Sequence, residues 1–557
     1  MRTDCRISFR LMDVTAVDDA TLSAPDSKPW IDLYQLHDEA GTLKPWATLE
    51  GDGIPLDGSR TLFPDSPARE FMGWWSNSMS GPDGRFTTPS KLIITFSQPH
   101  TSVGLTLIFD AVVNEWASEM HIAWYDQSGA VLHEEDFAPT SANATYGPLV
   151  EDYYKIVITF KATNKPYHYL KMSGIRYGVL KMFGDDDLIS ANVVEEVDPL
   201  SAELRINMLY YRFYSPGGEF DMLNLSGAYR AFQQRQEMIV TSEIDGREVD
   251  IGTYYLQEAV TDGNVTDTTC TDLMGVIDGT EYMGGLWLDS VTMGDLVREI
   301  MASANAVDMY DLDPALADVI LKGYLPICTH REALQQAAFA TGALVSCARG
   351  DRIRIFPPST SVSDTIMPDD KVIGHNLTQR ELVTGVEVYV HNYSLAADVG
   401  ELFAEDCQTG DRLVKFSSPA TGLSCTGATI AEQGANWARL TVTTAGKGTL
   451  TGKTYEDQTS LVGSVYMANL PANTRPNVMT VEDCTLMADA QAMAQRVYDH
   501  YQQRVVERGD LFPGPWQPGN KVRIEQPSGR ALTGMVTSMD IDLTGGYISG
   551  VEVVGSA

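Results

Sequence analysis

Between Lys91 and about Tyr177 apolar residues recur at every second position: Leu92, Ile94 and Phe96, then Val103, Leu105, Leu107 and Phe109, then Ile156, Ile158 and Phe160. Successive side chains of a strand point to opposite faces, so each set shares one face. Repeated in short runs between turn residues, the pattern predicts an antiparallel sandwich. Ser80-Gly81-Pro82-Asp83-Gly84 and Asp126-Gln127-Ser128-Gly129 supply the turns. The character changes around Val179 to Pro199, where the acidic turn Asp185-Asp186-Asp187 precedes Val193-Val194-Glu195-Glu196-Val197, and a domain boundary is placed there. Strands resume through Glu203 to Tyr214 and Glu237 to Val260, separated by Pro216-Gly217-Gly218 and by the hairpin turn Ile244-Asp245-Gly246-Arg247.

The period then shifts to that of a helix. Thr292 precedes Asp295 in a capping arrangement, and Met293, Leu296, Val297, Ile300 and Met301 follow on one face. Thr329 and Glu332 repeat the arrangement before Leu334, Ala337 and Ala338, with Gly342 placed for a left-handed C-terminal cap. A hairpin is expected next, Val345 to Ala348 and Arg352 to Phe356 about the turn Arg349-Gly350-Asp351. Residues 372–466 read as β. A long third helix is expected over Val481 to Glu507, with Leu486, Ala490, Met493 and Val497 on one face. After Gly509 strands return, and Met535, Thr537, Met539, Ile541 and Leu543 alternate before Gly545-Gly546.

At 557 residues the chain exceeds what one core holds, since single cores stop growing at about 250 to 300 residues. Three or four modules are expected. The division read from the patterns is 1–48, 49–184, 185–280, 281–371, 372–478 and 479–557. A hydrophobic fraction of 43% and 24 tyrosines describe a chain that folds.

Charge narrows the partners. The formal net charge is -35, from 75 acids against 40 bases, and no Lys/Arg-rich run appears. Phosphate-gripping surfaces need concentrated positive charge, so tight nucleic-acid binding is disfavoured, whereas a wall past which DNA slides would suit acidity. Solubility of a large assembly subunit is the plainer cause of the same excess. Seven scattered cysteines without CxxC spacing argue against a disulfide framework and a zinc site, and point to synthesis in a reducing cytoplasm. The first 13 residues lack the features of a signal peptide, and no apolar stretch reaches the ~18 residues of a membrane span.

Motifs for chemistry fall short one by one. Gly448-Thr449-Leu450-Thr451-Gly452-Lys453-Thr454 has three residues between its glycines where a phosphate loop has four, and β-type sequence on both sides. The nine histidines show no HExxH or HxH spacing, and His330 is expected at a solvated position in a first helical turn. No GxSxG elbow or papain-like cysteine signature occurs. Asp185-Asp186-Asp187 lacks the distal glutamate of a calcium loop and reads as an exposed acidic turn. No catalytic residue, metal ligand or cofactor is assigned. Flat aromatic faces on a sandwich stack on sugars, and Trp74, Trp75, Trp116 and Tyr125 are the candidate glycan-binding residues; each singly reads first as core.

Certain segments carry a family resemblance. Leu325-Pro326-Ile327-Cys328-Thr329-His330-Arg331-Glu332-Ala333-Leu334-Gln335-Gln336, continued by Ala343 to Phe356, resembles the helix-and-hairpin unit of bacteriophage tail-tip hub proteins. Trp516-Gln517-Pro518-Gly519-Asn520-Lys521-Val522-Arg523-Ile524 through Leu543-Thr544-Gly545-Gly546 looks like the family's closing barrel strands, with Asn520 where an acidic residue is expected. Pro199 to Asp278 is similar to the first barrel, best at Asp250-Ile251-Gly252-Thr253-Tyr254-Tyr255-Leu256. Residues Leu49 to Tyr177, with Leu56-Asp57-Gly58-Ser59, Gly73-Trp74-Trp75-Ser76 and Ile175-Arg176-Tyr177-Gly178, look like the carbohydrate-binding-like sandwich inserted in hub proteins of phages and prophages of Gram-positive bacteria.

The resemblance implies a mainly β, multidomain fold with α+β parts: a jelly-roll-like N-terminal sandwich, hub-type β-barrel domains and a small helix/hairpin domain, residues 1–48 adding strands to the hub. It implies a non-enzymatic baseplate-hub subunit of the virion, a homotrimer whose two barrels per subunit make a pseudo-sixfold ring continuing the tail channel. Its partners would be tail-tube, distal-tail, tape-measure and receptor-binding or tail-fibre proteins, and a host cell-wall glycan, with DNA passing without sequence-specific binding. Some relatives continue into a wall-cutting peptidase or lysozyme, and this chain ends at Ala557, directly after the barrel strands. A free-standing carbohydrate-binding adsorption protein and a cell-wall hydrolase are the competing readings; the first explains only about residues 50 to 180, the second needs a constellation the sequence does not display.

Overall fold

The computed structural model describes residues 3–13, 15–38, 41–51, 57–184, 186–215, 235–244, 247–372, 374–544 and 548–556. The chain is mainly β and multidomain, with three helices of 11 to 13 residues among the described residues.

Two long strands, Arg85–Phe109 and Asn143–Thr163, organise the sandwich. Ser90 to Thr95 pair with Phe160 to Lys155, the register shifts around His100, and Ser102 to Ile108 then pair with Val150 to Asn143. The first halves carry Thr21–Ser23 on one side and Ala117–Tyr125 then Val131–Phe137 on the other; the second halves carry Lys171–Arg176 and, beyond it, Trp74–Trp75. Bulges bend strands, which is how two strands serve two layers. Leu92, Ile94, Ile156 and Ile158 from one layer and Leu105, Leu107, Met172 and Ile175 from the other share one core. The alternation read from the sequence therefore marks the inward faces, except that Val103 at the register shift is only half-buried.

Of residues 1–48, expected to add strands to the hub, only Thr3–Met12 does so. Residues 15–37 belong to the sandwich: Ala16 and Leu36 lie in its core and Leu22 pairs with Ile94. Short-range patterning gives little signal for a segment held by long-range contacts.

Among the described residues the largest sheet outside the sandwich has 13 strands, and smaller sheets of two to five strands accompany it. One half runs Leu188–Glu196, Met208–Tyr214, Val265–Thr271, Arg247–Asp262, Glu237–Ile244, Thr3–Met12 and Gly178–Phe183; the other runs Ala531–Asp542, Ile548–Ser556, Val505–Leu511 and Asn376–Gln379, with Lys521–Glu525 and Asp364–Ile366 beside it. The halves join where Asn192 to Glu196 pair antiparallel with Asp542 to Ser538. Val193, Leu209, Val240, Ile524, Met539 and Ile541 share their core. Ile244 and Arg247 pair across the expected hairpin, whose tip residues Asp245 and Gly246 lie outside the described residues, as do Asp185, Pro216-Gly217-Gly218 and Gly545-Gly546. Register slips between Val536 and Ser538, so Val536 is inward and Met535 only half-buried; the uniform alternation expected from Met535 onward breaks at this bulge.

Helices Met293–Ser303 and His330–Thr341 begin where the caps predict. Thr292 accepts from the Asp295 amide, Thr329 and Glu332 form a complete capping box, and Gly342 closes the second helix at φ 79. His330, expected in solvent, is buried: its ring meets Thr280 Oγ1 at 2.9 Å and Ser303 Oγ at 3.1 Å because the first turn packs against both neighbours. The expected long third helix is shorter. Val478–Val481 and Leu486–Met487 are strands, Asp489 caps the helix by accepting from the Gln491 and Ala492 amides, and helix Ala490–Gln502 gives way to strand Val505–Leu511. Gly452-Lys453-Thr454 lies within strand Gly446–Tyr466, which runs on past Thr454 where a phosphate loop would open a helix.

Candidate functional site

The four candidate aromatic residues do not make one face. Trp74 and Trp75 are buried, Trp74 against Phe160 at 4.8 Å between centroids and Trp75 with its indole N–H donated to the Met72 carbonyl. Neither offers a ring to a sugar: Trp74 lies in the sandwich core, and Trp75, on the opposite face of the strand, is packed under Trp46, Met72, Trp30 and Phe63, whose packing the sequence does not announce. Trp116 is half-buried, donating from Nε1 to the Pro139 carbonyl at 3.0 Å. Tyr125 is half-buried under the Lys155 ammonium, 5.3 Å from its ring centroid. These two flank strand Ala117–Tyr125, about 30 Å apart at ~3.3 Å per residue.

An aromatic group not anticipated from the sequence lies beside Trp75. Phe63 meets Trp30 at 5.2 Å and Trp46 at 6.1 Å, all in edge-to-face geometry, and Lys28 and Lys44 sit over the rings of Trp30 and Trp46.

Below it is the densest buried polar centre of the sandwich. The Lys171 ammonium donates to both oxygens of Glu50, at 2.9 and 2.8 Å, and to Glu115 Oε2 at 3.2 Å. It also lies 4.8 Å from the Trp75 ring centroid. His168 Nδ1 donates to Glu115 Oε1 at 2.6 Å, and the Tyr169 amide and Thr48 hydroxyl donate to Glu50. Glu50, Glu115, His168 and Lys171 are all buried. Burial pushes the Glu115 carboxyl above its usual range, with Lys171 opposing; burial also disfavours the Lys171 cation, but Glu115 and Glu50 outweigh it and raise its pKa. Asp110 nearby is likewise raised by burial. Glu50, Glu115 and His168 present ligand atoms within 4.8 Å of one another, as a metal site would. Hard cations are held by several carboxylate oxygens, and here the lysine ammonium already occupies that role. The centre fastens the segment around Glu50 to the sandwich. Its charged and histidine members are 53 to 121 residues apart in their pairings, so no local motif could have revealed it.

A cleft of about 670 Å³ opens where the two halves of the large sheet meet helix Ala490–Gln502. Arg508 donates from Nε to Glu552 at 2.6 Å, and Arg380 donates to His500 Nε2 at 3.3 Å. Burial, reinforced by Arg380, lowers the His500 pKa to about 4, so its ring is neutral and accepts. Cations and carboxylates, among them Glu196 and Asp198, alternate around the cleft.

No family model and no curated protein matches the chain. Among solved structures it is similar to a tail protein of Neisseria meningitidis MC58, at 10% identity over 67% of this chain and 93% of that one, TM-score 0.40. The 43 kDa tail protein of prophage MuSo2 from Shewanella oneidensis gives 10% identity, 67% and 94% coverage and TM-score 0.38. A prophage tail protein of Listeria monocytogenes EGD-e gives 9% identity, 68% and 91% coverage and TM-score 0.38.

Proposed function

We propose that the chain is a structural subunit of a bacteriophage tail tip, a baseplate hub that acts in the virion after synthesis in the host cytoplasm. The observation that carries this reading is the continuous sheet made from two barrel-like halves, joined strand to strand through Asn192–Glu196 and Ser538–Asp542. Three copies would set six barrel units around an axis, and closed symmetry lets one repeated interface build such a ring. The quoted sequence segments that resemble hub proteins fall on these halves and on the helix-and-hairpin unit between them. A net charge of -35 suits a lumen that must not hold DNA, since each phosphate gripped by Lys or Arg adds affinity.

The sandwich is the appendage of this subunit. It has its own core and is inserted between the paired strands Thr3–Met12 and Gly178–Phe183. That placement leaves it free to meet a cell-wall glycan or another tail-tip protein, with Trp116 and Tyr125 still at its surface. The hub itself works without hydrolysis.

Mass photometry of the chain with tail-tube or distal-tail proteins, together with electron microscopy, tests the reading. Trimers forming a ring are expected. A stable monomer absent from virions would refute the hub, and turnover of host cell wall by the purified chain would refute the non-enzymatic role.

A further inference from the structure

Among the described side chains, the sandwich and the large sheet bury separate core clusters. The sandwich cluster ends at Tyr177 and the barrel cluster resumes at Phe183. The chain leaves the large sheet at Met12 and re-enters it at Gly178; these two residues pair, and the Asp13 amide donates to the Tyr177 carbonyl at 2.8 Å. The connection is a two-stranded neck.

At its sandwich end sits an ion triad around a buried histidine. His100 lies between two carboxylates, Nδ1 at 2.6 Å from Asp13 Oδ2 and Nε2 at 3.0 Å from Asp19 Oδ2. Only the imidazolium donates from both nitrogens, so the geometry requires the charged ring. Asp13 belongs to the neck and also accepts from the Thr15 and Ala16 amides. Asp19 ends the short helix Thr15–Asp19 and accepts from the Ser97 and Gln98 amides, at the register shift where the long strand bends. The triad thus ties the neck to the bend that defines the sandwich's two layers. We propose that Asp13, His100 and Asp19 form an ionic clasp that fixes the orientation of the sandwich on the barrels and releases it when His100 loses its proton.

The surroundings leave the histidine as the group that switches. Phe96 covers the ring at 4.9 Å, and Tyr153 packs beside it with its hydroxyl donated to Ser102. Tyr177 lies beyond Phe96, its hydroxyl 3.0 Å from His37 Nε2. Burial keeps both phenols protonated far above neutrality and lowers the His37 pKa. For His100, burial alone would favour the neutral ring, but the bonds to Asp13 and Asp19 prevail and raise its pKa. The Asp19 carboxyl is pulled down to about 2, chiefly by Ser97 and His100, and Asp13 is lowered despite its burial. With a raised folded pKa, the clasp is complete below the unfolded histidine value of about 6.5 and is lost as pH rises through the folded value. Its acid limit is set by Asp13 and Asp19.

The test uses the full chain. Histidine Cε1 resonances, with His100→Gln identifying the signal, should show a midpoint above about 6.5. At pH 6, His100→Gln should speed exchange of the Thr15, Ala16, Ser97 and Gln98 amides by about ten- to a hundredfold and enlarge the maximum dimension in solution scattering. The wild-type chain should do the same only above its own midpoint, after correction for intrinsic exchange. Unchanged exchange or unchanged scattering in His100→Gln overturns the clasp, as does a midpoint at or below the free value. Should His100→Gln fail to fold, Asp19→Asn keeps the ring and decides: a lowered midpoint supports the clasp, and an unaltered one overturns it.

Discussion

The sandwich and the second half of the large sheet, at strand Val505–Leu511, each bury a glutamate with a lysine and a histidine, yet the two centres are built in opposite ways. In the sandwich the lysine is the hub: Lys171 bridges Glu50 and Glu115, and every member is buried. In the second half of the large sheet the carboxylate is the hub: Glu507 accepts from Lys371 at 2.6 Å, His375 at 3.1 Å and Gln526 at 2.7 Å, with the Lys371 side chain 8% and the His375 side chain 14% exposed. A buried charge is tolerated when it is paired, and removing one partner strands whatever remains. Losing the sandwich hub strands two neighbouring carboxylates in the dark. Losing the barrel hub strands a lysine whose long stem can carry its ammonium to water.

Lys171→Met should therefore be the most damaging change, lowering stability by about 3–5 kcal/mol in the calorimetric transition of the sandwich. Adding Glu115→Gln should recover part of the loss, because one of the two stranded charges disappears; no recovery would show that packing rather than charge is at fault. Glu507→Gln keeps the shape and an acceptor, and should cost about 1–3 kcal/mol in the barrel transition by urea titration. A loss as large as that of Lys171→Met would break the distinction between the hubs.

The pH response sharpens the contrast within the barrel region. Asp272, buried at the start of helix Leu273–Asp278, accepts from the Asn207 and Gly275 amides, yet burial prevails and raises its pKa to about 7. The native state then holds a proton that the unfolded chain releases above about 4, so stability falls as pH rises from about 4 to about 7, by up to about 1.4 kcal/mol per unit. Asp272→Asn should flatten that slope in urea titrations at successive pH values; an unchanged slope assigns it to another group. The smallest effect is expected at a half-buried cap: Thr329→Ala removes the capping box of helix His330–Thr341 and should cost about 1 kcal/mol in thermal unfolding.

What was legible in the sequence was local. Thr292, Thr329 and Gly342 bracket helices because orphan backbone groups at helix ends are met by nearby side chains, and period-two runs mark inward faces because strand geometry is fixed. Illegible were features set by partners far along the chain. Leu486 fits a helical face by spacing, but Asp489 accepts from the Gln491 and Ala492 amides and starts the helix after it, leaving Leu486 to pair with Gly323. Trp74 and Trp75 each read first as core, but only the packing of Trp74 on Phe160 and of Trp75 under Trp46 and Met72 decides it.

The sequence by itself determined a mainly β, multidomain chain with capped helices and a large acidic excess, since turns, caps and periodicity act over a few residues. Tertiary structure alone decided that residues 15–37 join the sandwich, that Glu50, Glu115 and Lys171 meet, and that Asp13 and Asp19 enclose His100. Those pairings span up to 121 residues, and their energy comes from shared burial, which exists only once the layers have closed.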